Sequence, residues 1–136
     1  MGLTVNKHVD ERKDFNKSAF AASELLRKIC IPQAYRILCN VGDIEPQDDE
    51  LWFKLLVLHI YHAGARNIES LLSQLEQPLQ GMELIKWMWR NEYGNFKNSS
   101  QNYSQIAIAA MLTLKDIVLS DCEYIFDCNE INPIQN

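Results

Sequence analysis

The stretch between Glu50 and Gly64 constrains the fold more than any other part of the chain. It reads Leu-Trp-Phe-Lys-Leu-Leu-Val-Leu-His-Ile-Tyr-His-Ala before the glycine. A helix over these residues is apolar nearly all round, through Trp52, Leu55, Leu56 and Leu58, and His59 adds little polar face. Such a helix has to be enclosed by other helices, so it is expected to be the central element of an all-α domain. It does not read as a membrane span: the longest apolar run, Leu55 to Tyr61, is broken by His59 and falls far short of the ~20 residues required.

The flanking segments repeat at the helical period, and none alternates as a strand does. Asp14 is placed to cap a helix over Phe15 to Cys30, whose stripe is Phe20, Ala21, Leu25, Leu26 and Ile29. Pro32 suits the first turn of a new helix carrying Tyr35, Ile37 and Leu38, which Gly42 stops. The acidic stretch from Gly42 to Asp49, with Pro46, reads as a loop, and Asp48 or Asp49 caps the central helix. Gly64 can leave the right-handed region and turn a corner, with Asn67 helping to start the next helix. That helix carries Ile68, Leu71, Leu72 and Leu75 at i, i+3, i+4, i+7 and ends before Pro78 and Gly81. Met82 to Trp89 forms another helix, and Asn91 to Ser100 is a polar loop. Ser99 or Ser100 then caps a last helix to about Leu119, and the tail from Asp121, with Pro133, frays. The expectation is five to seven helices in one domain over residues 1–136, with no sheet larger than a short pair.

A net charge of −5 with no stripe of Lys or Arg excludes a nucleic-acid footprint. The polar start from Met1 to Lys13 has no apolar core of a secretory signal, so a complete chain of this sequence is expected in the cytoplasm. Cys30, Cys39, Cys122 and Cys128 show neither Cys-x-x-Cys spacing nor a neighbouring His pair, which argues against zinc. Local pairs, Cys30 with Cys39 and Cys122 with Cys128, are conceivable in an oxidising compartment; reduced, mostly buried thiols are the other reading.

Three separated segments carry a family resemblance. Gly2-Leu3-Thr4-Val5-Asn6, Val9-Asp10-Glu11-Arg12-Lys13-Asp14 and Lys17-Ser18 with Ala21-Ala22 lie at the start, and Ile60-Tyr61-His62-Ala63-Gly64 lies at the corner. Ser100-Gln101-Asn102-Tyr103 followed by Ile106-Ala107-Ile108-Ala109-Ala110 comes late in the chain. In that order, over roughly residues 2–115, they resemble the lytic transglycosylases, peptidoglycan-cleaving enzymes with a goose-lysozyme-like fold. The corner is similar to that family's Ala-Tyr-Asn-x-Gly motif. Residues 31–48 then look like an insertion, and 121–136 like a tail. The resemblance implies a lysozyme-like helical lobe and a glycan-strand partner, with no metal or cofactor. It also implies a cell-envelope or periplasmic location if the chain is part of a longer exported protein.

In the family, one Glu in a Glu-Ser-x-Phe context acts as acid and then base on the bond between N-acetylmuramic acid and N-acetylglucosamine. Its helix precedes the Gly-Leu segment, so the resemblance implies a lobe without its general acid and no cleavage by this chain alone. Protonating a glycosidic oxygen requires a carboxyl of raised pKa in a partly apolar pocket. Glu69-Ser70, the nearest match, is followed by Leu71-Leu72 and reads as surface.

By the resemblance, Tyr103 supports the acid and Tyr61 walls the groove. His62 stands where the family has Asn to bind an N-acetyl group, and Gln101 and Asn102 are within reach of a sugar amide or cap the helix. Each tyrosine reads equally well as core. Trp87 and Trp89 can stack on sugars, but their apolar surroundings favour the core. The cluster Asp10, Glu11, Arg12, Asp14 reads as a salt-bridge knot pinning the entry segment. The rival function is a non-catalytic helical binding or interaction module.

Overall fold

A computed structural model describes residues 3–5, 10–42, 44–47 and 50–125, with side chains as far as residue 115. The described residues are predominantly helical, and the only pairings of extended backbone among them are two isolated bridges, Val5 with Asp10 and Tyr93 with Phe96. The all-α class expected from the periodicity is what forms. No helix among these residues is long and apolar enough to cross a membrane. The chain divides into two compact units, Met1–Ser104 and Gln105–Asn136.

In the first unit the entry segment is held by a polar knot. Glu11 accepts the Thr4 N–H at 2.6 Å and pairs with Lys17 at 2.7 Å, while Arg12 and Asp10 pair at 2.8 Å. The knot joins Lys17 to Asp10, Glu11 and Arg12, three of the four residues read from sequence, and it contains a 3-10 turn, Glu11–Lys13. Asp14 caps helix α1, Phe15–Leu25, by accepting the Lys17 N–H at 3.1 Å.

The expected break at Pro32 does not occur. A π-helical turn, Leu26–Cys30, joins α1 directly to α2, Ile31–Gly42. Proline removes a donor and crowds the carbonyl four residues back, and widening the preceding turn relieves that crowding. Ile31 N–H accordingly reaches the Leu26 carbonyl, five residues back. The apolar stripe read on this segment is largely uncovered: Phe20 is 69% exposed and Ile29 42%, and no residue of α1 is fully buried. The π turn and α2 are what lie on the central helix, so burial begins only at Cys30.

Helix α3, Leu51–Ala63, is the central element and buries Trp52, Phe53, Leu55, Leu56, Val57, His59 and Ile60. Around it stand Ala34, Ile37 and Leu38 of α2, Ile68, Leu71 and Leu72 of α4 (Ala65–Leu72), and Leu84, Ile85 and Met88 of α5 (Gly81–Arg90). Each fully buried large aliphatic side chain stabilises the fold by about 1.5–3 kcal/mol relative to exposure. The N-cap of α3 is Glu50; its carboxylate serves the preceding turn by accepting Gln47 N–H at 2.9 Å, and positions 48 and 49 lie outside the described residues. Helix α4 stops three residues before Leu75 because tighter bonds, such as Leu75 N–H to the Leu72 carbonyl, close its last turn.

The final helix, α6, runs Ser99–Ile125, past the expected end at Leu119 and through Asp121. The uncharged run from Gln101 to Leu114 offers no breaker, and Asn98, at φ 52, supplies the first helical carbonyl in place of a serine cap. Ser104 is the last residue of the first unit. In the second unit, α6 exposes Ile106, Met111, Leu112 and Leu114. Cys30 is buried, Cys39 is exposed, and both thiols are free, so the local Cys30–Cys39 pair does not form: one faces the core and the other solvent. The Cys122 side chain and Cys128 lie outside the described residues, as does the tail beyond residue 125.

Candidate functional site

The corner after α3 is built by one glycine and one amide. Gly64 takes φ 84 and ψ 145, a region that an L side chain strongly disfavours, and its N–H bonds the Ile60 carbonyl at 2.8 Å. Asn67 does not start α4 as expected. Its Nδ2–H donates to the Ala63 carbonyl at 2.6 Å, satisfying an orphan carbonyl at the end of α3. The corner is therefore stitched across, and the last turn of α3 is fixed relative to the first turn of α4.

His62, exposed on that last turn, meets Tyr103 from the first turns of α6. The two rings stack with centroids 4.1 Å apart and planes 5° from parallel. Of the five residues expected at a ligand site, these two are brought into contact. Tyr61, 40% exposed, instead borders a groove with Leu3, Val5, Arg12, Ser18, Ala22 and Leu25. One residue along a helix turns the side chain by about 100°, and Tyr61 and His62 accordingly face different neighbours. Gln101 donates through Nε2 to the Asn91 carbonyl at 3.3 Å, while Asn102 is exposed. Glu69 pairs with Arg36 at 3.2 Å.

One turn before His62 lies an arrangement the sequence did not disclose. His59 is fully buried, with Nδ1 3.0 Å from the Ser100 carbonyl and Nε2 2.7 Å from Ser104 Oγ. A carbonyl only accepts, so Nδ1 carries the proton, and the Ser104 hydroxyl must donate to Nε2. Trp89 Nε1–H donates in turn to Ser104 Oγ at 2.8 Å, and the Phe96 ring lies 5.5 Å from the imidazole. Burial, only partly offset by the bond to Ser100, pushes the His59 pKa down to about 4, so the ring stays neutral at pH 7.

A serine hydroxyl bonded to a neutral imidazole has the connectivity of a nucleophile and its base. Here both groups are fully buried, so no acyl substrate reaches Oγ, and the network serves to lock helices. Residues 59 and 62 of α3 face residues 100, 103 and 104 of α6, at helical spacings that place each set on one side of its helix. The only advance signal was a histidine interrupting an apolar run three residues before His62. Trp89, placed in the core by sequence, is half-buried and works through its N–H; Trp87 is half-buried in a surface groove.

Among the described residues no three His, Cys, Asp or Glu side chains gather as a metal would require. In comparisons with known proteins, no family model, no curated protein and no solved structure matches this chain.

Proposed function

We propose that the chain forms a lytic-transglycosylase-type, lysozyme-like helical lobe that holds a peptidoglycan glycan strand without cleaving it. One observation carries the reading: the two motif segments, Ile60–Gly64 and Ser100–Tyr103, meet through the His62–Tyr103 stack although some forty residues separate them. The knot at Asp10–Lys17 adds to it, because it anchors the third motif segment to the helices. In this reading the stacked pair supplies a flat ring surface and an accessible imidazole nitrogen where the family uses an asparagine amide. Gln101 and Asn102 flank it. Glu69 is engaged by Arg36 and does not take the acid's role.

The test is cosedimentation with purified peptidoglycan sacculi, followed by analysis of soluble products. Retention of the protein, loss of most retention in Tyr103→Ala, and no anhydromuropeptide release are expected. Equal retention of Tyr103→Ala and the parent chain sinks the binding role, and product release shows that a carboxylate of this chain does act as the acid.

A second reading, a helical interaction module with no glycan ligand, is favoured by the exposure of Ile106, Met111, Leu112 and Leu114 on α6. Apolar side chains grouped on one helix commonly mark a protein contact. Failure to bind sacculi together with concentration-dependent self-association in sedimentation would favour it.

A further inference from the structure

A groove of about 520 Å³ lies between the end of α4, the linker to α5, and the turn after α5. Its size falls within the ~300–1,000 Å³ typical of small-ligand clefts. Leu71, fully buried, forms part of its floor, while Trp87 and Tyr93 present rings to it, the latter 45% exposed. The polar lining is two side-chain carboxylates, Glu76 and Glu92, and the amides of Gln74, Gln77 and Asn91, with no Lys or Arg.

The backbone that carries Tyr93 is held from outside the groove. Tyr93 and Phe96 exchange backbone hydrogen bonds at 3.1 and 2.9 Å across a tight turn with Gly94 at φ 56, and Phe96 is fully buried beside His59. The turn that carries Tyr93 is thus bolted to the core. Asn91 donates Nδ2–H to the Trp87 carbonyl at 2.8 Å, and its own carbonyl accepts Gln101 Nε2–H. A site whose backbone is already ordered loses less entropy on binding.

We propose that this groove is a saccharide subsite for a neutral, β-linked N-acetylhexosamine oligomer. An aromatic ring offers a flat apolar face that matches the C–H face of a pyranose, while amides and carboxylates can bond the hydroxyls and acetamido groups at its edge. The absence of any cation in the lining, beside two carboxylates, rejects anionic ligands such as phosphates and nucleotides. The inference deepens the glycan-binding reading by adding a contact built from residues 71–93, none of which belongs to the His62–Tyr103 pair, yet it rests on that reading only for the identity of the sugar polymer.

The experiment is a titration of the full chain with the β-1,4-linked tetramer of N-acetylglucosamine, followed by NMR of the indole N–H and backbone amide signals. Saturable shifts of the Trp87 indole and of the Tyr93 amide are expected, with affinity falling about fivefold or more in Tyr93→Ala, the loss of one ring contact. Tyr93→Phe keeps the ring and should bind nearly as well as the parent; unchanged amide spectra away from the turn establish that both variants fold. Shifts confined to His62 and Tyr103 overturn the subsite while leaving the glycan reading intact. Shifts confined to Trp87 and Tyr93 uphold the subsite and leave the His62–Tyr103 reading without support. No shift with the tetramer, or shifts produced only by a pentalysine peptide, overturns the subsite, and the latter makes the groove a cationic-peptide site.

Discussion

Ser104→Ala tests the buried network most directly, because it deletes one oxygen that two other groups depend on. The hydroxyl donates to His59 Nε2 at 2.7 Å and accepts Trp89 Nε1–H at 2.8 Å. After the substitution the Trp89 N–H, on a half-buried ring, can turn to water. His59 cannot: it is fully buried, its other nitrogen is committed to the Ser100 carbonyl, and Nε2 is left without a donor. An unsatisfied buried acceptor costs about 1–3 kcal/mol, and the lost bonds add roughly 1 more. The expected destabilisation is therefore about 2–4 kcal/mol, a large part of the ~5–15 kcal/mol that holds a domain of this size together. With a urea slope of about 1–3 kcal/mol per molar, the unfolding midpoint should drop by roughly 1–2 M with the slope unchanged. In a double-mutant cycle, His59→Phe combined with Ser104→Ala should cost at least ~1 kcal/mol less than the two single changes together, since no orphan acceptor remains. A midpoint shift below about 0.3 M, or strict additivity in the cycle, would refute the claim that the network stabilises the fold.

The same histidine predicts an acid dependence: its folded pKa of about 4 lies below its ordinary 6.5, so the unfolded chain binds the proton first and stability falls as pH drops from 6.5 toward 4. The full loss is about 3 kcal/mol, and urea midpoints between pH 7 and 5, above the range where the carboxylates titrate, should fall in the parent and stay level in His59→Phe. Gly64→Ala should cost about 1–3 kcal/mol from backbone strain alone, because a Cβ there meets no atom within 4 Å while φ stays at +84; an unchanged midpoint would mean that the corner adjusts freely.

Much of this fold was legible because its signals are local. The spacing of Trp52, Leu55 and Leu56 marked α3 as the central helix, Asp14 marked the start of α1, and Gly64 marked the corner; each depends on residues within one or two turns of chain. The readings that failed needed information from further away. The Phe20 and Ile29 stripe shows the helical period, but periodicity does not tell which part of it another helix will cover, and it is the π turn and α2 that pack on α3. Pro32 has the local signature of a helix start, but a single widened turn lets one helix pass through it. His59 and His62 look alike in sequence, three residues apart on one helix.

The candidate site divides along the same line. The residues Tyr61, His62, Gln101, Asn102 and Tyr103 could be nominated from sequence, but their contacts could not. That His62 stacks on Tyr103 while Tyr61 turns to the entry segment depends on how α6 is rotated against α3. That rotation is held by Ser104 and Trp89, neither of which carries any mark of the role in the linear sequence. Which stretches become helices and where the chain turns can be read from near neighbours alone, because periodicity, capping and glycine conformation act over one or two turns. That one histidine is neutral and enclosed and the other exposed and stacked follows from the packing of helices, because burial and hydrogen-bond partners come from residues some forty positions apart.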